Sequence, residues 1–589
     1  MKLLKLLLVA LLGCHLGAAA QEYDGRHGWP EQKAPEKVIV CPLGQTPAEA
    51  MLVESLSGLA AQAVNEGRFD TMVWIETGNA SYKTLFEESV EALGIKEIRR
   101  MEIDELAVLL RKRGILRGYV LYRMDGPWAN PYASNPGTDY SANVATVYAS
   151  LLQGALIDES LVARARSLGL RELKDARHET AAECFERNRD RLCRKSALSI
   201  PPSVHNLRDY AIAHRLMLYA DQKELIDPVL EWVEPLSPIL GWGCGDEYDF
   251  TSLIARWGHY NTATNWCMNL PFISSVGKAA HPVQVEAFDP WTIDFDDRSS
   301  FHAFVMSDGD NMQWSMDSYG ESPMYMGGKG AGEAGLSWTL CPTELSIVSP
   351  FTWNKMAARR QAGSSFLEYG GGYQYPDIFA VNRPNRAELL REFARRINYH
   401  MERLGIRIFG FICFDVASPE AQEAFQIYAE EMPGLTGMLA VQYFPYELDG
   451  KVYWHRNRAG IDIPVVTARY SLWNEVNAHR PRAGVPEFVA SMVNRDVLAA
   501  GEEGIGSSSG RSCMPGRILP SRAADAASGH RCEPVLRTQS LLLPSVKPAS
   551  AEELLWRIRM EYRPEQTRNV LNTANTKHQE EDETNRIWP

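Results

Sequence analysis

Short apolar runs alternate with amphipathic stretches along most of the chain. Lys37–Cys41 (KVIVC), Thr71–Ile75 and Gly118–Tyr122 read as strands, each a brief β-branched or aromatic run. Ala48–Val64, between the first two, repeats its apolar positions at helical spacing. Strand and helix in alternation predict a small α/β domain over 22–135. From Ser141 to about Cys193 the period is helical, which predicts a helical second domain over 136–202. Residues 203–290 read as a loop-rich third domain, with a core helix at Leu207–Asp221 (LRDYAIAHRLMLYAD).

Beyond Trp291 the rhythm becomes strand, polar loop, helix, repeated. Phe301–Met306, Ser364–Glu368, Ile406–Phe414, Leu435–Tyr443 and Ile463–Ala468 are the apolar runs. A carboxylate, tyrosine or arginine closes or follows each of them. Buried parallel strands separated by helices predict a (β/α) barrel-like domain over 291–562, with chemistry at the strand ends, and then a polar tail over 563–589. The expected fold class is therefore α/β, with small α/β and helical N-terminal accessory domains ahead of a C-terminal (β/α) barrel-like domain.

One window breaks this rhythm. No aromatic residue occurs between Phe488 and Trp556, and Gly504–Cys532 is rich in Ser, Gly, Arg and Ala. Serine codons of the TCN type, read one nucleotide earlier, become NTC codons for Phe, Leu, Ile or Val. A compensated frameshift starting near Gly504 and ending before about Pro544 would therefore replace an apolar strand and disrupt the barrel over 504–544. A disordered polar insertion is the other reading.

Charge and composition narrow the partners. With 61 Lys and Arg against 74 Asp and Glu, the net charge is −13. Nucleic acid is excluded as a partner, since binding it needs basic patches to displace counterions. Lys2, Lys5, the apolar Leu6–Leu12 and Ala18–Ala20 form a signal peptide over 1–20, cut before Gln21, which predicts export to the periplasm or the medium. Leu11–Cys14 leaves open a lipoprotein anchored through Cys14. No later stretch is long and apolar enough to span a bilayer. The cysteines form no C-x-x-C; buried, inert thiols are expected, with a Cys184–Cys193 pairing left open. The histidines have no zinc-binding spacing, and the chain has neither G-x-G-x-x-G nor a Walker sequence. No metal and no cofactor is therefore expected. Oligomeric state is left open.

Three constellations could carry chemistry. Ser307–Asn311 (SDGDN) ends a strand in two carboxylates and an amide. It suits an acid/base pair or a hard-cation site, or else an Asx turn that satisfies its own backbone. In Gly370–Asp377 (GGGYQYPD) the glycines let backbone approach a ligand, and the tyrosines offer flat faces with hydroxyl handles. Gly241–Phe250 (GWGCGDEYDF) sets Asp246, Glu247 and Asp249 among glycines and aromatics, and reads as a tight turn whose acids face water.

Gly370–Pro376 spells G-x-G-Y-x-Y-P, and on this motif the chain resembles the GxGYxYP family of glycoside hydrolases. Leu207–Ala211 (LRDYA), Gly241–Glu247 (GWGCGDE), Asn269–Ser274 (NLPFIS) and Met306–Trp314 (MSDGDNMQW) look like further segments of that family, so the resemblance covers most of the mature chain. It implies a barrel-like C-terminal domain that hydrolyses a poly- or oligosaccharide, with carbohydrate as substrate. Such hydrolysis ordinarily uses two carboxylates. The expected catalytic set is Asp308, Asp310, Glu368 and Asp415. Asn311, Trp314, Gly370, Gly372, Tyr373, Tyr375, Asp377, Glu447 and Arg469 are expected around the sugar. Two other readings stay open: a metal-dependent polysaccharide deacetylase with Asp308 and Asp310 as ligands, and a non-catalytic glycan-binding protein.

Overall fold

The computed structural model describes residues 28–124, 139–286 and 303–503, apart from 244, 324, 329–335, 362, 444–445, 449 and 472–481. The signal segment, the 504–544 window and the polar tail lie outside the described residues. The described strands form four sheets.

Strands β1 (Lys37–Pro42), β2 (Thr71–Glu76) and β3 (Glu97–Arg100) make a parallel sheet in the order β2-β1-β3. The helix Pro47–Asn65 starts where Thr46 accepts the Glu49 N–H and Glu49 reaches back to the Thr46 N–H, a reciprocal cap. Residues 50–64 of it are all buried.

Strands β4 (Gly118–Tyr122), β5 (Gly154–Asp158) and β6 (Glu172–Asp175) form a second parallel sheet in the order β5-β4-β6. The expectation of a helical second domain is corrected here. GALID is a five-residue apolar run buried throughout, and over so short a run helical and strand periods look alike.

The stretch read as loop-rich also carries a sheet. Strands β7 (Ala197–Ser199), β8 (Met217–Tyr219), β9 (Pro238–Gly241) and β10 (Tyr260–Thr262) pair in the order β10-β9-β7-β8. The single helix expected over 207–221 is a shorter one, Arg208–His214, followed by β8. Leu207 and Arg215 flank it in the left-handed region, at φ 64° and 54°, and turn the chain at both ends.

The fourth sheet has seven strands: β11 (Val305–Gly309), β12 (Ser337–Leu340), β13 (Phe366–Tyr369), β14 (Ile408–Cys413), β15 (Gly437–Gln442), β16 (Val452–Arg456) and β17 (Asp462–Thr467). Their order is β11-β12-β13-β14-β15-β17-β16, parallel except for β16 against β17. The link from β16 to β17 is too short for a crossover, so those two meet as a hairpin. Among the described residues the order runs open from β11 to β16 rather than closing into the expected barrel. Helices Arg386–Leu404 and Pro419–Glu431 supply the crossovers on either side of β14.

One hydrophobic core runs through all four sheets. A backbone joint links the third sheet to the glycine motif: Asn261 of β10 donates to the Tyr373 carbonyl at 2.9 Å, and the Tyr373 N–H donates back at 2.8 Å. Cys41, Cys184, Cys193, Cys267, Cys341 and Cys413 are free thiols. No helix among the described residues is long and apolar enough to cross a membrane.

Candidate active site

The end of β11 is built to aim side chains. Its register against β12 slips between Met306 and Gly309, and Asp308 sits in the left-handed region at φ 75°. A Cβ on Gly309 would lie 2.2 Å from the Thr339 carbonyl oxygen, so only glycine lets the two strands approach here. The Asn311 carbonyl then accepts from Trp314 and Ser315, starting the helix Met312–Met316. Asp308 and Asp310 are thus clamped between a bulged strand and a helix.

A third carboxylate arrives from the third domain. Asp246 accepts the Asp249 N–H at 2.9 Å and caps the helix Glu247–Arg256, whose first residue is Glu247. Glu247 Oε1 is buried without a hydrogen-bond partner. Burial, then the charges of Asp308 and Asp246, push the Glu247 carboxyl up to about 7. Burial, then Glu247 and Asp308, hold Asp310 well above the usual carboxylate range. Asp308 is raised by burial as well, against a hydrogen bond from Ser307. Both aspartates keep one side open to solvent while protein surrounds the rest.

Glu247 and Asp310 line a narrow crevice together with Thr251, Tyr369, Gly370, Gly372, Tyr373, Gln374, Tyr375, Phe411 and Ile412. The glycine motif forms its wall. Gly372 has φ 106°, and a Cβ there would lie 2.3 Å from the Tyr260 ring. The Tyr375 hydroxyl donates to the Glu247 carbonyl at 3.2 Å, and Trp242 meets the Tyr373 ring edge-on at 5.5 Å. Asp377 braces the end of β14 by accepting the Phe414 and Asp415 N–H groups at 2.9 and 3.0 Å.

The other expected residues fall elsewhere. Glu368 and Tyr369 are consecutive in β13 and face opposite ways, so Tyr369 lines the crevice while Glu368 turns from it. Glu368 accepts from the Thr343 N–H at 2.9 Å and from the Thr343 hydroxyl at 2.6 Å. Burial, then Glu344, push it up to about 8. Arg396 lies 3.6 Å from Glu344 and donates to the Gly371 carbonyl at 3.1 Å, so this buried network backs the glycine loop. Asp415 is exposed and accepts the Ala417 N–H at 2.9 Å, as a turn residue does. Arg469 donates to Asp496 at 2.7 Å, and Glu447 is buried beyond the end of β15. Trp314 packs on Tyr325, and Asn311 Oδ1 is buried without a partner.

The sequence reading missed Glu247 as a site residue, although the GWGCGDE segment that carries it stood out. Among the described residues no three His, Cys, Asp or Glu side chains are arranged to hold one metal ion. Glu247 and Asp310 share the crevice, and Asp308 interacts with both through its charge.

Comparison with known proteins agrees with this architecture. Family models match three consecutive segments: a GxGYxYP_N second domain at 116–192, a GxGYxYP third domain at 193–275, and a "GxGYxYP putative glycoside hydrolase C-terminal domain" at 300–501. The crystal structure of a "putative hydrolase" from Bacteroides thetaiotaomicron has the same fold, with a TM-score of 0.66 over 81% of this chain and 88% of that one, at 21% identity. No curated protein matches. With its motif at the crevice wall and three of the family's models matching in order across residues 116–501, the chain belongs to the GxGYxYP family.

Proposed function

We propose that this protein is an exported glycoside hydrolase that cleaves a poly- or oligosaccharide with Glu247, Asp308 and Asp310, in a (β/α) barrel-like domain completed by its neighbour. The observation that carries the proposal is that Glu247 and Asp310 line one crevice walled by the glycine motif and tyrosines, with Asp308 near enough to act on both electrostatically. Glycoside hydrolysis needs one protonated carboxyl for the leaving oxygen and one ionised carboxylate as nucleophile or base. Three neighbouring, partly enclosed acids can supply both states, because burial and the charges of their neighbours strengthen the hold of Glu247 and Asp310 on a proton. Glu247, raised to about 7, is the member we assign as proton donor. Glu368 and Asp415 act in this scheme through structure alone.

The test is turnover on a panel of nitrophenyl glycosides and defined oligosaccharides. Asp310→Asn and Glu247→Gln should each lower the rate ~10²–10⁴-fold with unchanged thermal unfolding. Normal rates in both variants would move the chemistry elsewhere, and no hydrolysis by the wild type across the panel would sink the enzymatic reading.

A further inference from the structure

An aromatic surface continues outward from the crevice, and catalysis as proposed leaves it unused. Tyr248 follows Glu247 in the first turn of its helix and is 45% exposed. Its ring lies 4.6 Å from Phe414, beyond β14, and 5.5 Å from Tyr443, beyond β15. Both of those rings in turn touch Tyr375 of the crevice wall, at 4.4 and 5.8 Å. Three elements from two domains therefore bring their aromatic residues to one rim, and they do so directly beside the carboxylates. Among the residues that line the crevice itself there is no Lys, Arg or His, only Glu247 and Asp310 as ionisable acids alongside the tyrosines. Arg469, the cation expected at a neighbouring strand end, is paired with Asp496. An anionic ligand entering here would meet carboxylates, with no cation among the described lining residues to offset them.

We infer that Tyr248, Phe414 and Tyr443 form a subsite for an uncharged pyranose unit next to the one cleaved, which makes the substrate a neutral glycan rather than a uronate or sulfated one. The CH face of a pyranose suits an aromatic ring, and its hydroxyl edge suits tyrosine hydroxyls. This inference rests on the glycosidase reading and deepens it.

The experiment is binding of the full chain, at 4 °C, to an array of defined neutral, uronate-containing and sulfated oligosaccharides. Binding should be confined to neutral glycans of two or more units, fall by about tenfold in Tyr248→Ala, and persist in Tyr248→Phe. Acidic glycans bound as well as their neutral counterparts, no glycan bound at all, or unchanged binding by Tyr248→Ala would each overturn it. Hydrolysis abolished by Asp310→Asn alongside unchanged binding by Tyr248→Ala would sink the subsite and keep the glycosidase.

Discussion

Asp308 holds a conformation that few side chains accept. At φ 75° an aspartate or asparagine is tolerated, whereas a β-branched residue is strained. Asp308→Asn should therefore unfold at the wild-type temperature while losing turnover, and Asp308→Val should cost about 1–3 kcal/mol of stability. Equal melting temperatures for the two variants would show that the backbone there is not constrained. Glu247 makes a pH prediction. A donor must be protonated, so the rate should fall as pH rises through about 7, and the residual activity of Glu247→Gln should lack that limb. Glu368 makes a separate one through stability. Its carboxyl is raised from an ordinary 4.5 to about 8, so the folded chain holds that proton more tightly than the unfolded chain. The stability it contributes is complete below 4.5 and is lost as pH rises through about 8. Buried Glu344 beside it is raised to about 7 as well, so Glu368→Gln should reduce the fall of the urea midpoint across that range without abolishing it, and an unchanged slope would count against the assignment. The strand-end position of Asp308 and Asp310 could be read from sequence because its signal is local: an apolar run that stops at DGD. Glu247 could not, since its burial and its like-charged neighbours come from another domain. Strand alternation alone already set Glu368 and Tyr369 on opposite faces.

Elements follow the same division. Six-residue strands such as β1, β2, β14, β15 and β17 were legible as continuous apolar runs, most of them rich in β-branched or aromatic residues. The short strands β7, β8, β10 and β12, of three or four residues, carry no such run, and only their neighbours define them. The glycine loop shows what a few residues can hold. Gly372 and Gly363 both have positive φ, at 106° and 81°, but only at Gly372 would a Cβ strike a neighbour, whereas nothing lies within 4 Å of one at Gly363. Gly363→Ala should show the backbone cost alone, about 1 kcal/mol. Gly372→Ala should cost more, because it also pushes on Tyr260 and on the joint between Asn261 and Tyr373. Comparing the two melting temperatures separates backbone strain from packing, and similar losses would mean that the loop yields.

Across the whole molecule, the match to the family's C-terminal domain stops at residue 501, just before the window where the sequence loses its rhythm at Gly504. If the frame is displaced there, sequencing the gene should uncover an apolar run one base out of phase with no stop codon, and the restored chain should extend the match. A stop codon in that frame would end the idea. The hydrogen-bonded pair at Asn261 and Tyr373, with Glu247 approaching from the same side, has a consequence for how this activity is inherited. In the proposed scheme the proton donor and the rest of the machinery belong to different domains, so recombination that moved the C-terminal domain alone would carry off the glycine-motif wall and the two aspartates and leave the acid behind. New specificities would then arise by altering the rim of a domain pair that travels together, not by shuffling the catalytic half as a cassette.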